Sequence, residues 1–207
     1  MLFQGQTLNS LPKTRVSGNP NAEQLWMGEL AVSEVMPRYS ALTKSGFMFS
    51  TRSPLVALSL AGATMTGLIV WNSSPAGGTD MHLLKASGNV AVTSATMTGI
   101  AIATFTGQLN APTTPTALTV RNNYLGGPAG VGQAYSGGTL VNTPVASFDV
   151  LHNTAAIAVS GEDTGFLVDL EGSYVLPPQT GACFVALGAA SAAAAVNLSL
   201  LWAELTA

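Results

Sequence analysis

Short runs of alternating apolar and polar residues fill the chain from residue 46 onward, and clusters of Gly, Pro, Asn and Ser separate them. Alternation with a period of two is typical of β-strands that bury one face. The pattern predicts strands at residues 47–51, 55–60, 67–71, 82–85, 90–93, 99–106, 117–121, 146–151, 155–160, 166–169, 183–187 and 196–202. Strands of this number and spacing predict an all-β, antiparallel β-sandwich, with a jelly roll as the leading topology.

The first 45 residues do not follow this pattern. Residues 4–24 have no sustained periodicity and are rich in Asn, Ser, Pro and Gly, which predicts an extended arm. We therefore divide the chain into an extended N-terminal arm, residues 1–45, and a β-sandwich domain, residues 46–207. The first ten residues, MLFQGQTLNS, lack the basic and apolar regions that are typical of a signal peptide.

Residues 181–203 contain no charged side chain, and at 23 residues the run is long enough to span a bilayer. Its middle consists of Ala, Gly and Ser, which gain little free energy in lipid. Its end alternates, because Val196, Leu198, Leu200 and Trp202 share one parity. The run therefore predicts two strands joined by an Ala-rich turn, and not a transmembrane helix.

Residues 126–138, GGPAGVGQAYSGG, predict a long flexible loop. Loops of this length are usually functional or contact a partner. Tyr124 precedes this loop and Tyr135 lies near its end, and we predict both as exposed contact residues.

Charge is scarce in the predicted sandwich. Only 9 charged side chains occur among the 155 residues from 53 to 207, where an average composition would give about 39. Because a monomer relies on surface charge to stay dispersed, this deficit indicates a surface that other copies or partners largely cover. Residues 1–52 carry five cations and three acids. That balance is too weak to package nucleic acid but suits contact with an acidic protein surface.

Side chains suited to catalysis are few. Asp80 and His82 share one face of a predicted strand, and Ser73 or Ser74 could complete a Ser–His–Asp set. No G-x-S-x-G motif is present, so we interpret these residues as parts of a turn and a strand edge. His152, at the end of another predicted strand, has the same interpretation.

The densest group of charged residues is acidic, and the spacing of its members matches no calcium-binding loop. We interpret its members as solvent-facing residues beside a turn: Glu162, Asp163, Asp169 and Glu171. Cys183, the single cysteine, lies in an apolar run and is expected to be a small core residue. No zinc-site spacing or phosphate-binding loop occurs. The sequence therefore predicts no enzymatic activity, no cofactor and no metal.

Three runs resemble virion structural proteins of tailed bacteriophages, in the order found in that family. They are GELAVSEVMPRYSALTKSGFMFSTRS (28–53), GLIVWNSSPAGGTDMHLLKAS (67–87) and GSYVLPPQTGACFVALGAASAAAAVNLSLLWAEL (172–205), and together they cover about 80 of 207 residues. The chain departs from the family at Trp202-Ala203-Glu204, where the family has Trp-Glu-Glu, and over residues 107–144, which do not align.

The resemblance implies a jelly-roll virion component that is trimeric and has no enzymatic activity. On this basis we predict a capsid decoration or cement protein, located in virions assembled in the host cytoplasm. It would bind the major capsid protein or other virion proteins as a homotrimer, without direct contact to nucleic acid or membrane. Arm residues expected to contact the capsid or a neighbouring subunit are Lys13, Arg15, Trp26, Arg38 and Tyr39. Two alternatives stay open: a tail or fibre component, and a trimeric module that binds a host receptor or glycan. Exposed Tyr124 and Tyr135 would support the second.

Overall fold

The computed structural model describes residues 39–92, 99–152, 163–188 and 194–206. The chain divides into two units, Met1–Lys44 and Ser45–Ala207. In the first unit a short helix, α1 (Ser40–Lys44), follows Tyr39, whose carbonyl accepts a hydrogen bond from Thr43 N–H (2.9 Å). Residues 40–44 of the segment predicted as an extended arm are therefore helical, and that part of the prediction is wrong.

The second unit consists of strands and their connections. In the described ranges the strands are β1 (Met48–Arg52), β2 (Val56–Ala57), β3 (Thr64–Asn72), β4 (Thr79–Val92), β5 (Ile100–Phe105), β6 (Thr116–Leu118), β7 (Arg121–Asn122), β8 (Gly132–Thr139), β9 (Val145–His152), β10 (Asp163–Leu176), β11 (Gly181–Ala186) and β12 (Ala194–Thr206). They form two antiparallel sheets. Sheet I has the order β9-β5-β11-β3-β8-β6, and sheet II has the order β10-β4-β12-β1-β7, with β2 paired to β12.

Eight of these strands have jelly-roll connectivity. In chain order, β1, β4, β10 and β12 belong to sheet II, whereas β3, β5, β9 and β11 belong to sheet I. The chain therefore crosses between the sheets at each of these steps except from β5 to β9, which gives two interlocked four-stranded sheets. The all-β sandwich predicted from the sequence is confirmed. The strands β6, β7 and β8 all lie in the connection between β5 and β9, which includes the stretch that does not align with the phage family.

The main core lies between the two sheets and takes alternate residues from each strand. On β3, Leu68 and Val70 belong to this core, while Ile69 and Trp71 point the other way. On β12, every second residue from Val196 to Trp202 is fully buried. These buried positions are the ones that the alternating sequence predicts for a strand with one buried face.

Sheet I also has an apolar outward face, which forms a second buried cluster. Its members are Met65, Ile69, Trp71, Ala101, Ala103, Phe105, Tyr135, Leu140, Cys183 and Val185. Part of the cover comes from the segments that flank β6–β8. The Gln108 carbonyl accepts a hydrogen bond from Trp71 Nε1 (2.8 Å), and Gln108 Oε1 accepts one from Val141 N–H (2.9 Å). A sheet that is buried on both faces has few positions for charge. Burial within the chain therefore accounts for part of the charge deficit.

The outward face of sheet II is different, because it mixes polar side chains such as Ser87 and Asn197 with the exposed Leu167, and these side chains are half-buried or exposed. One row across the strands pairs Ser199 with Ser87 on one side and with Arg52 on the other. The next row contains an ion pair between Lys85 Nζ and Asp169 Oδ1 (2.8 Å). The two sheets therefore differ, since the outward face of sheet I is apolar and buried and that of sheet II is largely polar and accessible.

Several observed strands differ from the predicted ones in length or number. Two separate predictions, 82–85 and 90–93, belong to one long strand, Thr79–Val92. Residues 117–121 instead contain two short strands in different sheets, Thr116–Leu118 and Arg121–Asn122. The prediction at 155–160 lies outside the described residues.

The uncharged run at residues 181–203 forms strands at both ends, as predicted. Gly181–Ala186 is a central strand of sheet I, and Ala194–Thr206 is a central strand of sheet II. No helix in the described part of the chain is long and apolar enough to cross a membrane.

The glycine-rich segment predicted as a flexible loop is largely a strand. Gly132–Thr139 pairs with β3 on one side and with β6 on the other. The register with β3 shifts between Met65 and Leu68, where Gly137 (φ 75°) and Gly138 (φ 144°) adopt conformations that favour glycine. Of the segment predicted as a loop, only residues 126–131 lie wholly before the strand.

Candidate interaction surface

The two serines considered for a Ser–His–Asp set bond to the main chain instead. Ser73 Oγ donates to the Val131 carbonyl (2.6 Å), and Ser74 Oγ accepts a hydrogen bond from Thr79 N–H (3.0 Å). Both hydroxyls stabilise the turn between β3 and β4. This agrees with the structural interpretation of these residues.

Asp80 and His82 lie on β4, where they alternate with the buried Met81 and Leu83. They therefore share the outward face of sheet II, as the sequence predicts. His152 is the last residue of β9, at the end of a strand as expected.

The described acidic residues near β10 lie at separate positions along the strand. Glu162 lies outside the described residues, Asp163 begins β10, and Asp169 pairs with Lys85. Glu171 is exposed at a bulge, with a positive φ of 51°. Within the described ranges no group of three or more His, Cys, Asp or Glu side chains could hold a metal ion.

Cys183 is buried in the middle of β11, in the outward cluster of sheet I. Burial raises the pKa of its thiol from an ordinary value of 9.0 to about 12. At neutral pH the residue is thus a protonated, inaccessible thiol, as expected for a small core residue.

This burial predicts a loss of stability in alkali. Between pH 9 and 12 the unfolded chain releases the thiol proton while the native state keeps it, so stability falls as pH rises. From pH 8 to pH 10 we expect the free energy of unfolding to fall by about 1.4 kcal/mol more in the native sequence than in Cys183→Ala. Urea titrations at both pH values measure the difference, and equal pH slopes would contradict the prediction.

Three exposed apolar side chains lie at or beside the tip of the β7–β8 connection, and one of them is the most exposed large apolar side chain of the described residues. Leu125 is 92% exposed, Tyr124 is 49% exposed, and Phe47 is 47% exposed. The pairing of β1 with β7 places Phe47 and Tyr124 on neighbouring segments, since Phe49 pairs with Asn122 and Asn123 N–H donates to the Met48 carbonyl (2.8 Å). Leu125 follows Tyr124 directly in the chain. We call Phe47, Tyr124 and Leu125 the apolar tip.

Asn122 organises the loop that carries the apolar tip. Its Nδ2 donates to the carbonyls of Gly46 and Pro128, both at 2.8 Å, and its Oδ1 accepts from Tyr124 N–H (2.8 Å). Gly127 N–H closes a turn on the Tyr124 carbonyl (2.7 Å). The backbone on both sides of Leu125 is therefore held in place.

Glu204, near the end of β12, holds the other end of the same loop. Its buried carboxylate accepts hydrogen bonds from Val131 N–H (2.9 Å), Gly132 N–H (2.8 Å) and Trp202 Nε1 (3.0 Å). A Cβ atom on Gly130 would lie 2.6 Å from Glu204 Oε1. Only glycine therefore allows the loop to approach the carboxylate this closely.

A second exposed apolar pair lies elsewhere on the same unit. Leu109 and Val141 are both exposed, and they sit on the two segments that Gln108 joins over the outward face of sheet I. Asn142 Nδ2 also links these segments, through the Thr106 carbonyl (2.8 Å). We call Leu109 and Val141 the side patch.

The predicted contact residues have different outcomes. Lys13, Arg15, Trp26 and Arg38 lie outside the described residues, and Tyr39 is half-buried immediately before α1. Tyr124 is exposed, as predicted. The prediction is wrong for Tyr135, which is only 6% exposed because β8 places it in the outward cluster of sheet I.

Sequence reasoning missed four residues that build this surface: Phe47, Leu125, Asn122 and Glu204. One signal was available for Glu204, because a lone carboxylate in a charge-poor strand needs partners. The others resemble ordinary turn and strand residues. Searches against protein-family models, curated proteins and solved structures found no match to this chain.

Proposed function

We propose that this chain is a non-enzymatic structural protein of a tailed-phage virion, most specifically a homotrimeric decoration or cement protein that binds the capsid surface. The observation that carries the proposal is the apolar tip: Leu125 is 92% exposed on a loop whose two ends are held by hydrogen bonds to the side chains of Asn122 and Glu204. An ordered apolar side chain on a charge-poor surface is typical of a contact site between proteins.

The outward face of sheet II supports the same proposal. Its middle rows contain the uncharged pairs Ser87–Ser199 and Asn89–Asn197, and the Lys85–Asp169 ion pair lies beside them. Another protein could pack against these rows with little cost from desolvating unpaired charges. The jelly-roll connectivity agrees with the fold that the phage resemblance implies.

The direct test is binding of the purified protein to expanded capsids of the phage that encodes it. A cement protein should co-sediment with the capsids at a saturable ratio and raise their resistance to heat. Binding to host cells in place of capsids would overturn the proposal.

Removal of residues 1–45 is a second test, because we propose that this arm anchors the protein to the shell or to an adjacent subunit. We expect the truncated chain to remain a folded trimer and to lose incorporation into particles. Circular dichroism and native mass spectrometry check the fold and the trimer, and gel analysis of purified particles checks occupancy. Unchanged occupancy would contradict the anchoring role.

A second candidate is a trimeric tail or fibre module that binds a host receptor or glycan. Tyr124 favours it, because a half-exposed aromatic ring on an ordered loop suits stacking on a sugar. Tyr135 does not add to this site, since it is buried. Binding of purified protein to host cells, lost in Tyr124→Ala, would support this candidate over the first.

A further inference from the structure

We infer that the outward face of sheet II contacts the capsid, and that its partner there is an acidic protein surface. The inference deepens the proposed function and rests on it, because it names the face and the chemistry of the contact. Three observations carry it: the size of the face, the placement of every lysine and arginine of the second unit on it, and two arginines without an ion pair among the described residues.

The outward face of sheet II is large enough for a stable contact. The strands β4, β10 and β12 are 13 or 14 residues long and lie side by side in the sheet. At about 3.3 Å per residue and about 4.8 Å between strands, these three strands alone present roughly 600 Å². A standard interface between two proteins buries about 800 Å² on each partner. The corresponding face of sheet I is already buried within the chain.

Every lysine and arginine of the second unit lies on this face. The unit, Ser45–Ala207, contains only three such residues, Arg52, Lys85 and Arg121. Arg52 and Lys85 pair with outward residues of β12, and Arg121 pairs with Ser50 on the outward side of β1. In a chain with so few charges, the collection of all three on one face gives that face an electrostatic character of its own.

Two of these cations have charge left for a partner. Lys85 Nζ is paired with Asp169 on the neighbouring strand (2.8 Å). No ion pair between described residues involves Arg52 or Arg121, and both side chains are exposed. The two arginines are diagonal neighbours on β1 and β7, a relation that places residues about 7 Å apart. One acidic surface can therefore pair with both guanidinium groups at once.

The exposed arginines determine which partner fits the face. Covering an unpaired cation costs free energy unless an acceptor on the partner pairs with it. The planar guanidinium group binds a carboxylate through two parallel hydrogen bonds, and arginine is enriched in contacts between proteins. A partner that packs on the uncharged rows must therefore present Asp or Glu side chains to Arg52 and Arg121.

Nucleic acids and sugars fit the face less well than a protein. Two unpaired arginines are few for a nucleic acid, because its binding strength grows with the number of phosphates that are contacted. The described outward positions of β1, β4, β10 and β12 also carry no Phe, Tyr or Trp side chain on which a base or a sugar could stack. The chemistry of the face thus favours an acidic protein surface.

Removing both guanidinium groups, in Arg52→Ser/Arg121→Ser of the full-length protein, tests the inference. We expect the Kd for expanded capsids to rise about 30-fold at about 50 mM salt. At about 0.5 M salt the rise should be less than about 5-fold, because screening already weakens the contact of the unchanged protein. Co-sedimentation with capsids measures Kd at both salt concentrations. Equal unfolding midpoints in urea show that the variant is folded.

Ala76→Glu/Ala111→Glu is the matched control for the arginine variant. It changes the net charge by the same amount, at two exposed positions in the β3–β4 and β5–β6 connections. It should bind capsids as the unchanged protein does. A loss of binding equal to that of the arginine variant would show that only net charge matters, and would overturn the assignment to this face.

A photo-reactive side chain tests which surface of the partner lies against the face. Leu167 is 65% exposed and pairs with Ser87 on the outward side of β4. p-Benzoylphenylalanine in place of Leu167 should cross-link to a capsid peptide that contains Asp or Glu, and the same residue in place of Ala111 should not. Mass spectrometry identifies the joined peptides. Cross-links from position 111 and none from position 167 would contradict the inference.

The outcomes separate this inference from the proposed function. If the unchanged protein binds capsids and the arginine variant binds equally well at both salt concentrations, the inference is overturned and the proposed function stands. If the unchanged protein does not bind capsids, both fail. If the arginines instead hold the protein on heparin more tightly than on capsids, the partner is an anionic polymer, and the assignment of an acidic protein surface is overturned.

Discussion

Replacing Trp202 by alanine is expected to destabilise the β-sandwich by about 4 kcal/mol. Trp202 is fully buried between the sheets, and its ring stacks on Phe49 with 6.3 Å between the ring centroids. Its Nε1 also donates to the buried Glu204 carboxylate (3.0 Å). The substitution removes a large packed ring and one of the three hydrogen bonds to that carboxylate. Chemical denaturation, monitored by far-UV circular dichroism, measures the loss.

Trp202→Phe is the matched comparison, because it keeps an aromatic ring and removes the N–H donor. We expect it to cost about half as much as the alanine variant, since it leaves a smaller cavity. It should also speed hydrogen exchange in the loop at residues 123–132. A Trp202→Ala variant with an unchanged unfolding midpoint would show that the core does not depend on this ring.

Replacing Asn72 by alanine is expected to lower the free energy of unfolding by about 3 kcal/mol. Its fully buried side chain joins two connections at one end of the sandwich. Nδ2 donates to the carbonyls of Thr79 (2.7 Å) and Leu176 (2.8 Å), and Oδ1 accepts from Ser74 N–H (3.0 Å). Alanine would leave all three main-chain groups without these partners, in a site where desolvation makes each loss costly. Urea-induced unfolding measures the difference.

Asn142→Ala is the control for this prediction. Asn142 makes one exposed hydrogen bond, to the Thr106 carbonyl (2.8 Å), so water can replace it. We expect its removal to cost less than about 1 kcal/mol. If the two variants were equally stable, the buried network around Asn72 would not contribute to the fold as we expect.

The alternation of apolar and polar residues predicted most of the jelly-roll strands, because a strand that buries one face repeats every two residues. It predicted β12 well, where Val196, Leu198, Leu200 and Trp202 all face the core. It failed for Gly132–Thr139, because glycine and serine dominate that strand. The strand belongs to sheet I because it pairs with β3 and β6. A short-range sequence pattern does not show which strands will pair.

The interaction surface was less predictable than the fold. Tyr124 was predicted as exposed because it flanks a turn-rich segment, and that prediction is confirmed. The same reasoning failed for Tyr135, since exposure depends on what covers the outward face of sheet I. Local sequence patterns could not predict the hydrogen bonds between Glu204 and the loop, because Glu204 and Val131 are 73 residues apart in the chain.

The sequence by itself determined the fold class, the shortage of charge and the scarcity of catalytic side chains, since periodicity and composition are local properties. The tertiary structure alone decided that sheet I is buried on both faces and that a glycine-rich segment is one of its strands. It also decided that the buried Glu204 carboxylate binds the loop after the apolar tip, at Val131 and Gly132. Each of these results depends on contacts between distant parts of the chain, and such contacts exist only once the two sheets have packed.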